Sequence, residues 1–148
     1  MASYDIVFRN GQVADGTGKK LFAADVAVKG DRIAAVGAPG SLKGDNEIDA
    51  AGKVVAPGFI DVHTHDDTAL IDNPTMAMKA SQGVTTVVAG NCGISLSPMP
   101  GGMTGAVPSP LDLLDNEGKW FRFPSFGAYV EELGAHPAAT IVPCSSAT

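Results

Sequence analysis

Pro57-Gly58-Phe59-Ile60-Asp61-Val62-His63-Thr64-His65-Asp66-Asp67 decides how this chain is read. A Pro-Gly pair stops what precedes it, an apolar run follows, and the run ends in two histidines one residue apart. Side chains alternate faces along a β-strand, so His63 and His65 point the same way with Asp61 behind them, while Val62 and Thr64 face the opposite layer. Neutral imidazole is the commonest protein ligand for zinc, and a pair on one rigid element supplies two ligands together. Two ligands begin a metal site without completing it.

Downstream, the pattern predicts a buried strand over residues 59–63, a helix over 74–82 closed by Gly83, and a second, β-branched strand over 84–89. Strand, helix, strand is the unit of a parallel sheet, and the fold class is α/β. A Gly/Pro-rich loop follows over 90–110, then a helix over 125–133 with Ser125 as N-cap and Gly134 as C-cap, then a third strand opening at 138–142. Upstream of Pro57, short strands over 4–9, 24–28 and 32–36 alternate with Asn10-Gly11, Lys29-Gly30-Asp31 and Pro39-Gly40, and two more strand-like pieces cover 45–49 and 53–56. This first part reads as a small antiparallel β module. The boundary falls between residues 56 and 57.

Composition narrows the function. With 148 residues, 45% hydrophobic and 18% charged, the chain has ordinary globular composition and enough length for one core of moderate size. A net charge of −6 excludes nucleic acid and an anionic membrane surface as expected partners, since both reward clustered Lys and Arg. Residues 80–111 carry no charge, but Gly83, Gly90, Gly93, Pro98, Pro100 and their successors break the run too often for a spanning helix. No apolar leader opens the chain, and a cytoplasmic protein is the expectation.

The second strand of the unit ends in Gly90-Asn91-Cys92-Gly93, which brings a thiol to the rim where the histidine pair sits. Folds of this type place active sites at the C-terminal ends of their strands. Cys92 reads either as a metal-bound thiolate or as a buried structural cysteine in a tight turn. Cys144 reads as core filler. Asp61, Asp66, Asp67 and Asn91 are candidates to orient a ligand histidine or face a substrate, with solvated or helix-capping roles as the alternative for the Asp66-Asp67 pair. His136 reads as a surface or capping residue, and Trp120, Phe121, Phe123 and Phe126 as aromatic packing for the long loop.

With these residues in view, the chain resembles the amidohydrolase superfamily and, within it, the N-acyl-D-amino-acid deacylases. Residues 4–11 (YDIVFRNG), Gly30-Asp31-Arg32-Ile33 and residues 55–65 (VAPGFIDVHTH) are similar to the opening segments of the superfamily; residues 81–95 (SQGVTTVVAGNCGIS) resemble the deacylase branch. The resemblance implies a β-sandwich module over 1–56 and the start of a TIM-like barrel over 57–148, with His63, His65 and Cys92 as zinc ligands. It implies hydrolysis of the amide of a small-molecule N-acyl-D-amino acid, with zinc activating a water and an aspartate moving the proton.

A whole barrel takes roughly 250 residues, so the resemblance implies an N-terminal fragment, inactive alone, whose catalytic aspartate and remaining ligands lie downstream. Family members end the third strand in Val-Gly-His, whereas this chain reads Val142-Pro143-Cys144-Ser145-Ser146-Ala147-Thr148. With GC-rich codons GTG CCC TGC TCG TCG GCC ACG, one added G restores Val-Ala-Leu-Leu-Val-Gly-His, which points to a single-base deletion or a sequencing error. A hydantoinase- or dihydroorotase-like cyclic-amide hydrolase shares the His-x-His but not the Gly-Asn-Cys-Gly turn. A non-catalytic remnant that self-associates through unpaired strand edges is the rival from another class.

Overall fold

The computed structural model describes residues 3–103 and 105–142. The chain divides into two compact units, residues 1–57 and 58–148.

The first unit is one five-stranded sheet: β1 (Tyr4–Val13), β2 (Phe22–Lys29), β3 (Arg32–Gly37), β4 (Gly44–Asp49) and β5 (Val54–Val55). The order is β3-β2-β1-β4, with β5 also paired to β1. A two-residue Gly30-Asp31 loop joins β2 and β3; Gly30 at φ 59° in the first central position is the arrangement that suits the twist of a hairpin. The antiparallel module expected from sequence is a mixed sheet, because β1 pairs β2 antiparallel but β4 and β5 parallel. Asn10-Gly11 is also no turn. Asn10 takes φ 60° inside β1, the register with β2 shifts between Phe8 and Gly11, and the strand runs on to Val13. Asp25 explains the bulge: its fully buried carboxylate accepts the Asn10 N–H at 3.0 Å and the Leu42 N–H at 3.4 Å.

The second unit opens with β6 (Phe59–Thr64), which runs parallel to β7 (Val84–Ala89). The connection holds α1 (Asp67–Asp72) and α2 (Ala77–Ala80) in place of the single helix expected over 74–82. Met76, at φ 45°, separates them; it is fully buried with Leu70, Val87 and Ala89. The expected third strand amounts to a bridge, Ile141 exchanging backbone hydrogen bonds with Thr85 and Val87. Residues 143–148, and with them Cys144 and the divergent tail, lie outside the described residues. The expectation of a buried strand over 59–63 fails: Phe59, Ile60 and Val62 are 62–64% exposed. β6 has β7 as its only strand neighbour among the described residues, and no layer of those residues covers these three side chains.

The aromatic residues pack as expected. Leu96, Leu114, Phe121, Phe123 and Tyr129 form a buried cluster that seats the loop following β7 on α3 (Phe126–Ala135), with Trp120 and Phe126 against it. Ser125 caps α3, its hydroxyl accepting the Ala128 N–H at 3.2 Å. The C-cap is His136 instead of Gly134.

Candidate metal centre

The parallel ladder between β6 and β7 ends at Thr64 and Ala89, so the chain leaving each strand does so at the same rim. His63, in β6, and His65, just past its end, stand at that rim, their rings 5.5 Å apart and steeply inclined. Beyond β7 the backbone turns at Gly90 (φ 75°), the Gly93 N–H returns to the Gly90 carbonyl, and the turn presents Cys92. Asn91 ties that turn to the histidine strand, its side-chain amide donating to the Val62 carbonyl at 2.9 Å. The consequence is a cluster in which one donor atom each from His63, His65 and Cys92 lies within 4.8 Å of the others.

Cys92 Sγ is 3.8 Å from His65 Nε2. Two donors on one tetrahedral zinc, at about 2.3 Å for sulfur and about 2.05 Å for nitrogen, stand roughly 3.6 Å apart. The observed spacing therefore fits one shared ion with little movement. The donor set, two imidazoles and a thiol, also suits zinc and leaves a fourth position for another ligand or water. Cys92 is exposed and free, which overturns the buried structural reading of that residue. His65 Nδ1, turned away from the thiol, is buried without a partner.

The four candidate polar residues divide. Asn91 braces the loop. Asp61 and Asp66 do not face open space: both bind Lys79 of α2, at 2.7 and 3.0 Å. Asp61 also accepts the His63 N–H at 3.2 Å, and Asp66 accepts the Thr64 hydroxyl at 2.6 Å. The Lys79 hydrogen bond, then the His63 N–H, hold the Asp61 carboxyl below the usual carboxylate range. Asp67 begins α1 and is fully buried. Its Oδ1 accepts from Ser95 at 3.1 Å, its backbone carbonyl accepts from the Tyr129 hydroxyl, and its Oδ2 has no partner. Burial raises its pKa, with Ser95 the foremost opposing influence.

Sequence reasoning missed Lys79, Ser95 and Tyr129. Lys79 carried a signal: it is the only Lys or Arg between Lys53 and Lys119, in a stretch that holds Asp61, Asp66, Asp67 and Asp72. Ser95 and Tyr129 carried none, because the loop conformation brings them to Asp67.

A β/α unit with a histidine pair and a thiol at its strand ends gathers metal-ligating donors where folds of this type place their active sites. Residues 46–123, more than half the chain, match the model of the Amidohydrolase family, and the chain belongs to that family. It is 48% identical to D-aminoacylase of Alcaligenes xylosoxydans xylosoxydans over 95% of this chain and 28% of that protein. It is 45% identical to that organism's N-acyl-D-aspartate deacylase over the same shares. In three dimensions it matches a crystal structure of D-aminoacylase, described as defining a novel subset of amidohydrolases, with TM-score 0.89 and 51% identity over 97% of this chain and 30% of that one. A zinc and phosphonate complex of N-acyl-D-glutamate deacylase from Bordetella bronchiseptica matches with TM-score 0.86 and 40% identity over 99% of this chain and 30% of that one. The chain thus spans under a third of the length of the relatives it matches. Its fold class is α/β, a β module followed by the first β/α elements of the amidohydrolase barrel. No helix among the described residues is long and apolar enough to cross a membrane.

Proposed function

We propose that this chain supplies the metal-binding edge of a zinc-dependent N-acyl-D-amino-acid deacylase, with His63, His65 and Cys92 as ligands. The observation that carries the reading is the convergence of these three donors at one rim of a chain in the amidohydrolase family. Bound zinc would polarise the scissile carbonyl and bring a water toward its conjugate base near neutral pH. The chain's own residues present the ligands: the β6 backbone spaces the imidazoles, the Gly90–Gly93 turn delivers the thiolate, and Asn91 locks turn to strand. Residues 1–56 then form the partial β-sandwich and residues 57–148 the start of the barrel. The substrate is a small N-acyl-D-amino acid, as the names of the relatives suggest, the net charge of −6 argues against nucleic acid or an anionic membrane, and the location is cytoplasmic.

The test is a cobalt titration of the chain, followed by activity of this segment joined to a complete barrel. Cobalt bound through Cys92 gives a thiolate-to-metal absorption band; Cys92→Ser abolishes it and His63→Ala weakens binding. A band that survives both variants places the metal elsewhere. In the joined protein, faster turnover of a hydantoin than of N-acetyl-D-methionine would replace the deacylase reading with the cyclic-amide one.

The chain alone is inactive and self-associates under this proposal, a reading supported by the exposure of Phe59, Ile60 and Val62 on β6. Sedimentation at several concentrations tests it, and a monodisperse monomer that hydrolyses the substrate would refute it.

A further inference from the structure

Lys79 sits where no part of the proposed chemistry requires a cation. Met76 puts it there. For a non-glycine residue the left-handed backbone at φ 45° costs about 1–3 kcal/mol, and full burial of the Met76 side chain holds the residue in it. The Met76 carbonyl accepts the N–H groups of Lys79 and Ala80 at 2.9 and 2.8 Å, opening α2 in a direction that carries the Lys79 side chain to the end of β6.

An ammonium has three donors, and three acceptors meet this one: Asp61 Oδ2 at 2.7 Å, Asp66 Oδ2 at 3.0 Å and Thr64 Oγ1 at 3.1 Å. The Thr64 hydroxyl donates in turn to Asp66, and the other Asp61 oxygen accepts the His63 N–H. The anchored residues lie two before His63, between the two histidines, and one after His65. Lys79 itself is 19% exposed, with Asp66 at 18% and Asp61 at 29%, so solvent screens the cluster only in part.

We infer that Lys79 is the positioning residue of the metal centre, pinning both flanks of His63-Thr64-His65 so that the two imidazoles face Cys92. This rests on the metal-binding reading. Without the ammonium, two carboxylates of like charge share a partly desolvated space; they separate, Thr64 loses its place between them, and the ligand strand end loosens. Arginine cannot reproduce the arrangement fully, because its planar fork does not fit three acceptors gathered round a point charge.

Amide hydrogen exchange on the metal-free 148-residue chain tests the clamp, and cobalt affinity tests its consequence. Lys79→Met is expected to speed exchange at residues 62–65 by roughly tenfold or more, the scale of a lost charge-assisted hydrogen bond, while Thr86, Val87 and α3 keep their protection. Cobalt affinity falls by about 10–100-fold, as for loss of a group that orients metal ligands, and Lys79→Arg lies between Met and the parent in both measurements. Parental exchange at residues 62–65 in Lys79→Met overturns the inference, as does parental cobalt affinity. If Lys79→Met loses protection in β7 and α3 as well, Asp61→Asn decides: it keeps an acceptor for the His63 N–H but removes the charge facing Lys79, and unchanged exchange there overturns the inference. Should the parent chain bind no cobalt, the metal-binding reading fails, while exchange at residues 62–65 still decides whether Lys79 holds the strand.

Discussion

Adding one methyl group at Gly58, the residue before β6, should separate the two strands that carry the candidate site. A Cβ built at Gly58 overlaps Thr85 Oγ1 and Cγ2 and stands 2.7 Å from Thr85 Cβ. Rotating the Thr85 side chain clears the first two atoms and leaves the third, whose position the backbone fixes. Relief must therefore come from the strands. The pair is held by the Phe59 N–H on the Gly83 carbonyl at 2.9 Å, and on its far side the Ile141 N–H binds the Thr85 carbonyl at 2.8 Å. Overpacking of this kind costs about 1–3 kcal/mol, and with no rotamer to absorb it the upper half of that range applies. For a unit of 60–100 residues about 1 kcal/mol moves the midpoint by roughly 4–8 °C, so Gly58→Ala should lower melting by about 8–24 °C. Trp120, the single tryptophan, lies in this unit and reports its unfolding by fluorescence.

The control is a double-mutant cycle with Thr85→Gly, which removes every clashing atom. Gly58→Ala should then cost little relative to Thr85→Gly alone, giving a coupling of at least about 1 kcal/mol between two residues in direct contact. Equal cost in both backgrounds would refute the steric reasoning, and so would a Gly58→Ala midpoint within about 2 °C of the parent, well under the shift expected for 1 kcal/mol.

Three further outcomes follow from the carboxylates. Asp25→Ala removes the acceptor of two part-buried backbone N–H groups, those of Asn10 and Leu42; it should destabilise the β module by about 1–3 kcal/mol, read by urea unfolding, with Asp25→Asn milder. Asp5, held below the usual carboxylate range first by the Gly30 N–H and then by Lys29, and Asp49, held down first by the Ala51 N–H, stabilise the fold above the unfolded carboxylate pKa and lose that contribution as pH falls through their folded values. Stability of the β module by circular dichroism should therefore be flat near neutrality and fall below about pH 4, less steeply in Asp5→Asn. Asp67 carries the opposite sign: its folded pKa is raised, so the ionised form is a burden at neutral pH. In the metal-free chain Asp67→Asn should melt at or above the parent at pH 7, with the difference shrinking as pH falls through the raised value. A lower melting point with no pH dependence would contradict the burial argument.

How much of this was legible in the residues depends on the range of the interaction. The β6 and β7 segments, the helix capped by Ser125 and the Gly90–Gly93 turn were readable because each follows from local alternation, a cap or a glycine that must take positive φ. The convergence of His63, His65 and Cys92 was readable for a related reason: once two consecutive strands are parallel, their ends meet, and residues just past those ends become neighbours whatever lies between. The failures have a different cause. Asn10-Gly11 has turn chemistry, yet a buried carboxylate fifteen positions away converts it into a bulge. The helix expected over 74–82 starts only at Ala77, because Met76 takes φ 45° with its side chain buried, and a separate helix covers Asp67–Asp72.

The exposure of Phe59, Ile60 and Val62 belongs to neither group. Their pattern reads as a buried strand, and the strand forms as read; what is lacking among the described residues is a layer to bury it. Apolar pattern specifies that a face is to be covered but not by which segment. The polar side chains at the end of the same strand are different. Asp61, Thr64 and Asp66 are satisfied by Lys79 within the unit, and the histidines meet Cys92 within it, so the ligand geometry depends on α2 and the β7 turn and not on whatever covers the apolar side. Metal-binding geometry and apolar burial are therefore separable in this chain. Variants at Lys79 should act on the first, while the concentration dependence of association reports the second.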